Sequence, residues 1–299
     1  MGFVLLISFF RHAFQLMLHL PLGRPFDQAL VYARFCFAHR RLPNEDGLAE
    51  YLLHHKLGDA LGDPLVLLTT DKIKAKSFIE ERVGDKFVVP TKAILSNEQD
   101  IERYTCEPGD VLKPTHASGY FTIIREASDV DIDTLKQWLK IDYYRNSREK
   151  NYKGLIGQVI VEPEIFPAAE LVQLQFYCFD GVVKFVMRDF WPEYVSGGLL
   201  DPLWSCEANR LYDRDWTDLN ICFGPDLTVR TIEAPGNLTS IVAIAETLAT
   251  GFEFIRIDIY WSAKTEQFFV GELTHCPGGG YWPLNTREAR MIIRDLMNS

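Results

Sequence analysis

Two long apolar runs, Leu171 to Phe179 and Val182 to Met187, are separated by the single dipeptide Asp180-Gly181. Both runs are rich in β-branched and aromatic residues, and Asp-Gly readily takes up the positive φ angles that a two-residue hairpin turn demands. This stretch therefore commits the chain to an antiparallel sheet. Such a sheet must bury at least one face against helices or a second sheet. Leu238 to Ala249 reads as a helix, and two more strands follow at Glu253 to Trp261 and Gln267 to Leu273, joined through Ser262 to Glu266. The fold class expected is α+β with mainly antiparallel sheets.

Before Pro163 the pattern is shorter and more helical. Residues 25 to 57 read as helices broken around Arg41-Leu42-Pro43-Asn44, and Asp63-Pro64 opens a loop leading to Thr69-Thr70-Asp71. From there DKIKAKSFIEERVGDK has helical periodicity, with Thr70 or Asp71 as N-cap and Gly84 as stop. Strands are expected at Phe87 to Val89, Val111 to Lys113, Tyr120 to Arg125 and Ile156 to Glu162, with a helix over Asp133 to Ile141. No repeat or low-complexity tract divides the chain.

Charge narrows the function. With 31 basic and 41 acidic residues the net charge is −10, which repels phosphate backbones and disfavours nucleic acid as a partner. The excess lies wholly after Arg125. Ahead of it, Lys72, Lys74, Lys76, Arg82, Lys86 and Lys92 form a local cluster of cations, suited to a small anionic ligand or to a solvated helix face. The six cysteines include no C-x-x-C pair, as expected of reduced thiols in a cytoplasmic protein. Met1 to Leu20 is apolar but interrupted by Arg11, His12 and His19, so no transmembrane segment is expected there. A docked amphipathic helix and an anchor peripheral to the inner membrane face are the two readings of that stretch.

Two places carry charges where apolar residues are the rule. In VLKPTHASGY a strand delivers Lys113 into the small-residue loop Ala117-Ser118-Gly119, where backbone N–H groups can approach phosphate oxygens. In FIRIDIY, Arg256 and Asp258 share one strand face, continued by Phe254 and Tyr260; in FVGELTHCPGGG, Glu272 and Thr274 alternate with Val270. Buried charges must be paired or bind a cation. Asp258 and Glu272 could together hold Mg²⁺ through hard oxygens, or Arg256 could form a structural ion pair with either acid. His275-Cys276 point to opposite faces and make a poor nucleophile–base couple. Trp191, Trp204 and Trp216 suit packing or a substrate wall, and His54, His55 and His116 lack metal-ligand spacing.

In their order along the chain, these blocks resemble the ATP-grasp superfamily, in particular its TupA-like (teichuronopeptide biosynthesis) branch. The similarity is carried by TDKIKAKSFIEERVGDKFVVP (Thr70 to Pro90), LQFYCFDGVVKFV (Leu174 to Val186) and FIRIDIYWSAKTEQFFVGELTHCPGGG (Phe254 to Gly280), and covers roughly residues 42 to 290. It implies two α+β lobes clasping ATP: a helical N-terminal segment (1–68), a small lobe with the phosphate loop (69–162) and a large lobe with the metal site (163–299). It further implies that Lys72 and Lys113 contact ATP phosphates, that Thr115, His116, Ala117, Ser118 and Gly119 fold over them, and that Glu162 meets adenine or ribose. Asp258 and Glu272 would bind Mg²⁺, and Arg256 would stabilise the oxyanion of the reacting centre. Three positions depart from the pattern: Thr274 where Asn is common, Gln173-Leu174-Gln175 where the branch tends to Asp-Tyr-Lys, and Ala117 where Gly is usual. The activity implied is an ATP-dependent carboxylate–amine ligase acting on small, saccharide-linked substrates such as an amino acid and a uronic acid. A phosphotransferase acting on a sugar hydroxyl and a non-catalytic nucleotide-binding protein are the alternatives.

Overall fold

A computed structural model describes residues 23–44, 47–189, 209–223, 231–284 and 286–299. The apolar stretch at the N-terminus, Trp191 and Trp204 lie outside these residues. Two helices open the described chain, α1 (Arg24–His39) and α2 (Leu48–Leu57). The stretch expected to be a loop is instead a helix, α3 (Pro64–Thr70). Asp63 caps it by accepting the amide of Leu65 at 2.8 Å, and Pro64 occupies its first turn, where a missing N–H costs nothing. Asp71 then caps α4 (Lys72–Val83), accepting from Ile73 N and Lys74 N.

Next come β1 (Ala93–Leu95), α5 (Glu98–Arg103), β2 (Asp110–Pro114), β3 (Thr122–Ile123), α6 (Ile132–Trp138), α7 (Tyr143–Ser147) and β4 (Val159–Pro163). The four strands form one antiparallel sheet in the order β1-β4-β2-β3. The run Phe87 to Val89 does not join it. Phe87 ends a 3₁₀ turn and Val88 makes a single parallel bridge to Val270.

The hairpin is β5 (Leu171–Phe179) and β6 (Val182–Asp189), with Asp180 at φ 49° and Gly181 at φ 79° in the turn. β7 (Asn209–Asp213), β8 (Asp218–Phe223), α8 (Leu238–Ala249), β9 (Phe254–Ser262), β10 (Phe268–Thr274) and α9 (Arg287–Met297) follow. The second sheet is antiparallel throughout, in the order β10-β9-β5-β6-β7-β8.

The two faces of this sheet have different fates. Ile255, Ile257 and Ile259 of β9, with Leu174, Phe176 and Cys178 of β5, pack against α4 and α8 in the largest core. Each buried aliphatic side chain contributes about 1.5–3 kcal/mol. On the opposite face Tyr177, Phe179 and Phe254 pack under α2 and α9. The small sheet keeps a separate core around Leu112, Val159, Val161 and Trp138. α4, expected within the small lobe, thus packs on the large sheet while its first turn reaches the small one, where Lys72 N donates to Thr115 O at 3.2 Å.

Candidate active site

Antiparallel pairing of β9 with β10 sets Glu272 opposite Asp258 and Thr274 opposite Arg256. Strict alternation would put Val270 on the same face as Glu272, as the sequence pattern suggested. Instead a β-bulge between Val270 and Glu272 changes the parity. Val270 pairs with Ile259 and joins the core, while Glu272 turns to the charged face. Gly271 makes the bulge possible, because a Cβ there would lie 2.6 Å from the Tyr260 ring.

Every acid on this face stands against a cation. Arg256 grips Asp258 through two bonds of 2.6 Å, Nε to Oδ1 and Nη2 to Oδ2, and Nη2 also donates to Thr274 Oγ1 at 3.2 Å. Gln173 Nε2 reaches Asp258 Oδ2 at 3.4 Å. Lys72 Nζ lies 3.3 Å from Glu272 Oε1 and donates to Ala117 O at 2.7 Å. Glu162 takes two lysines, Lys113 at 2.8 Å and Lys76 at 2.5 Å. Lys113 also sits 5.5 Å over the Tyr260 ring.

Burial alone would favour the neutral forms, yet the partners prevail. Burial works against the Lys113 ammonium, but Tyr260 and Glu162 raise its pKa. For Glu272, burial is outweighed by Lys72 and Arg256, which hold the carboxyl below its ordinary range. Glu162 is likewise held low by Lys113 and Lys76 against burial. The face is thus an array of charges at neutral pH, which suits a polyanion and a cation bound together.

The loop after β2 is more closed than the sequence suggested. Thr115, His116 and Ala117 are buried, and Thr115 N donates to Gln158 O at 2.9 Å. Burial, reinforced by Lys72, lowers the His116 pKa and keeps its ring neutral. Ser118 is half-buried and Gly119 exposed, with φ +80°. Of the five loop residues these two offer open backbone.

A third wall went unread in the sequence. Tyr143, on α7, bonds Ser118 through its hydroxyl, and Asn151 Nδ2 donates to Thr70 Oγ1 at 2.9 Å. Between them Glu149 faces Lys56 of α2 at 3.7 Å. No motif marks Glu149. Lys76, by contrast, was legible in principle, being one helical turn from Lys72 and so on the same face of α4.

His275 and Cys276 do separate: His275 Nε2 lies 2.8 Å from Thr69 Oγ1, whereas Cys276 neighbours Glu149 and Lys56. Burial, with Glu149, pushes the Cys276 thiol up to about 12, so it is no thiolate nucleophile. Trp216 stacks on Tyr212 at 4.5 Å, a packing role.

Among the described residues no group of three or more His, Cys, Asp or Glu side chains could hold a metal ion unaided. Two carboxylates on adjacent strands do fit Mg²⁺, which takes one or two protein carboxylates and completes its shell with water and substrate phosphates. Glu272 keeps 29% of its side chain exposed for that purpose. Asp258 would have to release one of its two contacts with Arg256.

Arg256, Asp258 and Glu272 on the bulged pair β9–β10 and Lys113 and Glu162 on the second sheet are brought together by α4, whose Lys72 and Lys76 pair with Glu272 and Glu162. The TupA-like ATP-grasp family model matches residues 54–295, and the chain belongs to that family. No curated protein sequence matches it. Solved structures similar to it include ATP-grasp ligase PsnB complexed with minimal precursor (13% identity, 79% of this chain, 61% of that one, TM-score 0.39). An L-amino acid ligase from Bacillus licheniformis (12%, 85% and 55%, 0.44) is another. So is D-alanine–D-alanine ligase from Bacillus anthracis (14%, 69% and 57%, 0.38). The chain therefore spans between half and two thirds of the length of these three.

Proposed function

We propose that the chain is an ATP-dependent carboxylate–amine ligase: ATP phosphorylates a substrate carboxylate, and an amine displaces phosphate from the acyl phosphate to give an amide. The observation that carries this reading is the pairing of Arg256 with Asp258, of Lys72 with Glu272, and of both Lys113 and Lys76 with Glu162. Each carboxylate holds a cation in place that a phosphate could draw away. Lys72 and Lys113 would neutralise ATP phosphates, with the Ser118 and Gly119 backbone closing over them. Glu162, relieved of a lysine, would accept from a ribose hydroxyl or the adenine amino group. Arg256 would stabilise the negative charge that grows on the acyl centre. Asp258 and Glu272 would hold Mg²⁺, which offsets phosphate charge during transfer.

The family resemblance supports a saccharide-linked carboxylate such as a uronic acid, an amino acid as the amine, and a place in cell-surface polysaccharide or peptide modification on the cytoplasmic side. None of the described helices is long and apolar enough to cross a membrane. The test is ADP release from Mg-ATP across a panel of uronates and amino acids, with mass detection of the amide. Phosphate release that depends on the added amine is the expected result. A phosphorylated sugar with no amide would replace the ligase reading by phosphotransfer. Asp258→Asn and Glu272→Gln variants that bind nucleotide and turn over like the parent would end the metal assignment.

A further inference from the structure

Among the longer helices of the described residues, α1 alone turns an apolar face to solvent. Its inner side, Leu30, Val31 and Phe35, is buried, with Val31 and Phe35 packed against Leu53 of α2. On its outer side Pro25, Gln28, Ala29, Tyr32, Ala33 and Phe37 are exposed, and five of these six are apolar or aromatic. Phe37 is 73% exposed, and Leu42, just beyond the helix, 63%. By contrast, α4 exposes Lys74, Ser77, Glu80 and Glu81, and α9 exposes Arg287, Glu288, Met291 and Asp295. A helix apolar on both sides belongs in a core or against lipid.

The charge around this face favours lipid. Residues 1–44 contain five arginines and one acid, Asp27, a balance of +4 in a chain of −10. Asp27 is engaged inward, accepting from the Tyr144 hydroxyl at 2.6 Å and pairing with Arg148 at 3.2 Å. Arg40 is exposed at the end of the helix, and no acidic side chain is exposed between Pro25 and Leu42. The stretch ahead of the helix, Met1 to Leu22, is largely apolar in sequence and holds Arg11, His12 and His19 but no acid. A second copy pairing through the same face, or this stretch laid back on α1, would bring cation to cation. An anionic bilayer supplies both the apolar phase and the phosphates that such a surface lacks.

We propose that the outer face of α1 docks on an anionic bilayer surface, with Tyr32, Phe37 and Leu42 entering the headgroup region and Arg40 meeting lipid phosphates. The cationic stretch ahead of the helix adds to the attraction. The association is peripheral, since no described helix is long and apolar enough to cross a membrane. It does not depend on the reaction assigned to the site, but it fixes where that reaction takes place. The inner side of α1 holds the turn that continues β10: His39 Nε2 lies 2.9 Å from Gly280 O, and the Arg34 guanidinium stands 4.6 Å over the Tyr281 ring. Docking therefore sets this turn about 10 Å, one helix diameter, from the lipid.

Sedimentation of the full chain with vesicles tests this. Phosphatidylcholine vesicles with about one third phosphatidylglycerol should bind the chain about tenfold or more tightly than phosphatidylcholine alone, and about 0.5 M salt should weaken that binding. Phe37→Ser combined with Arg40→Ser should weaken binding to the anionic vesicles about tenfold or more. Thermal midpoint and Mg-ATP affinity should not change, because both side chains are exposed. Phe37→Leu, which keeps an apolar side chain, should bind within about threefold of the parent. Should the double variant not fold, Tyr32→Ser carries the same comparison at a second exposed position. Equal affinity for the two vesicle types, no binding to either, or undiminished binding by the folded variants overturns the proposal. A parent that binds no vesicle but is a dimer, made monomeric by the double variant, would assign the face to a second copy instead.

Discussion

Replacing Asp258 by Asn isolates the energetic core of the proposed site. Arg256 is 6% exposed, Asp258 is 1% exposed, and two bonds of 2.6 Å join them. Charge centres about 4 Å apart attract by about 4 kcal/mol at an effective dielectric near ~20. Removing one partner of a buried pair costs about 3–5 kcal/mol, chiefly because the other charge stays desolvated. Asn keeps one acceptor oxygen, so the loss should fall near the lower end, about 3 kcal/mol. Urea unfolding at neutral pH without nucleotide measures it. The combined variant Arg256→Met with Asp258→Leu should recover most of the loss, since a well-packed apolar pair avoids desolvation. A loss below about 1 kcal/mol for Asp258→Asn, or a double variant no more stable than the single, would refute a tightly coupled buried pair.

Lys113→Met removes a cation aimed at ATP phosphate and should weaken Mg-ATP binding about tenfold or more, read by calorimetry; an unchanged affinity would remove Lys113 from the nucleotide site. His275 is held down to about 3 by burial and by His55. The unfolded chain therefore binds an extra proton below the ordinary 6.5, and stability that is whole above that pH should fall by about 2 kcal/mol by pH 5. His275→Gln should flatten this part of the stability–pH curve. Glu162 and Glu272, lowered from 4.5, add stability that is present above that value and lost as pH falls further. Ile257→Ala, in the core between sheet and α8, should cost about 2–5 kcal/mol in denaturant unfolding with no direct effect on nucleotide binding.

Local signals in the chain were sufficient for the hairpin and for α8. Asp180-Gly181 has one good use between two apolar runs, and Leu238 to Ala249 carries an unbroken apolar face. The charges at Lys113, Arg256, Asp258 and Glu272 were legible for a complementary reason, since each interrupts a run that would otherwise be apolar. Where local signals compete, the sequence leaves the choice to tertiary contacts. Asp63-Pro64 serves a loop or a helix start equally well, and only the capping bond to Leu65 N selects α3. Phe87 to Val89 has strand composition but no continuous partner strand, so it remains a turn with one bridge.

What the sequence by itself determined, then, is which segments alternate, where they turn, and which residue types bear charge, because these follow from periods of two and 3.6 residues and from turn chemistry. Only the tertiary structure decided which charges meet. The bulge at Gly271 brings Glu272 round to Asp258, a parity change that alternation alone contradicts. Packing of α4 on the large sheet carries Lys76 and Lys72 to acids 86 and 200 residues further along the chain, Glu162 and Glu272. Glu149 and Lys56 meet only because α2 docks beside the turn after β10. Such pairings depend on the fold as a whole, and no local periodicity encodes them.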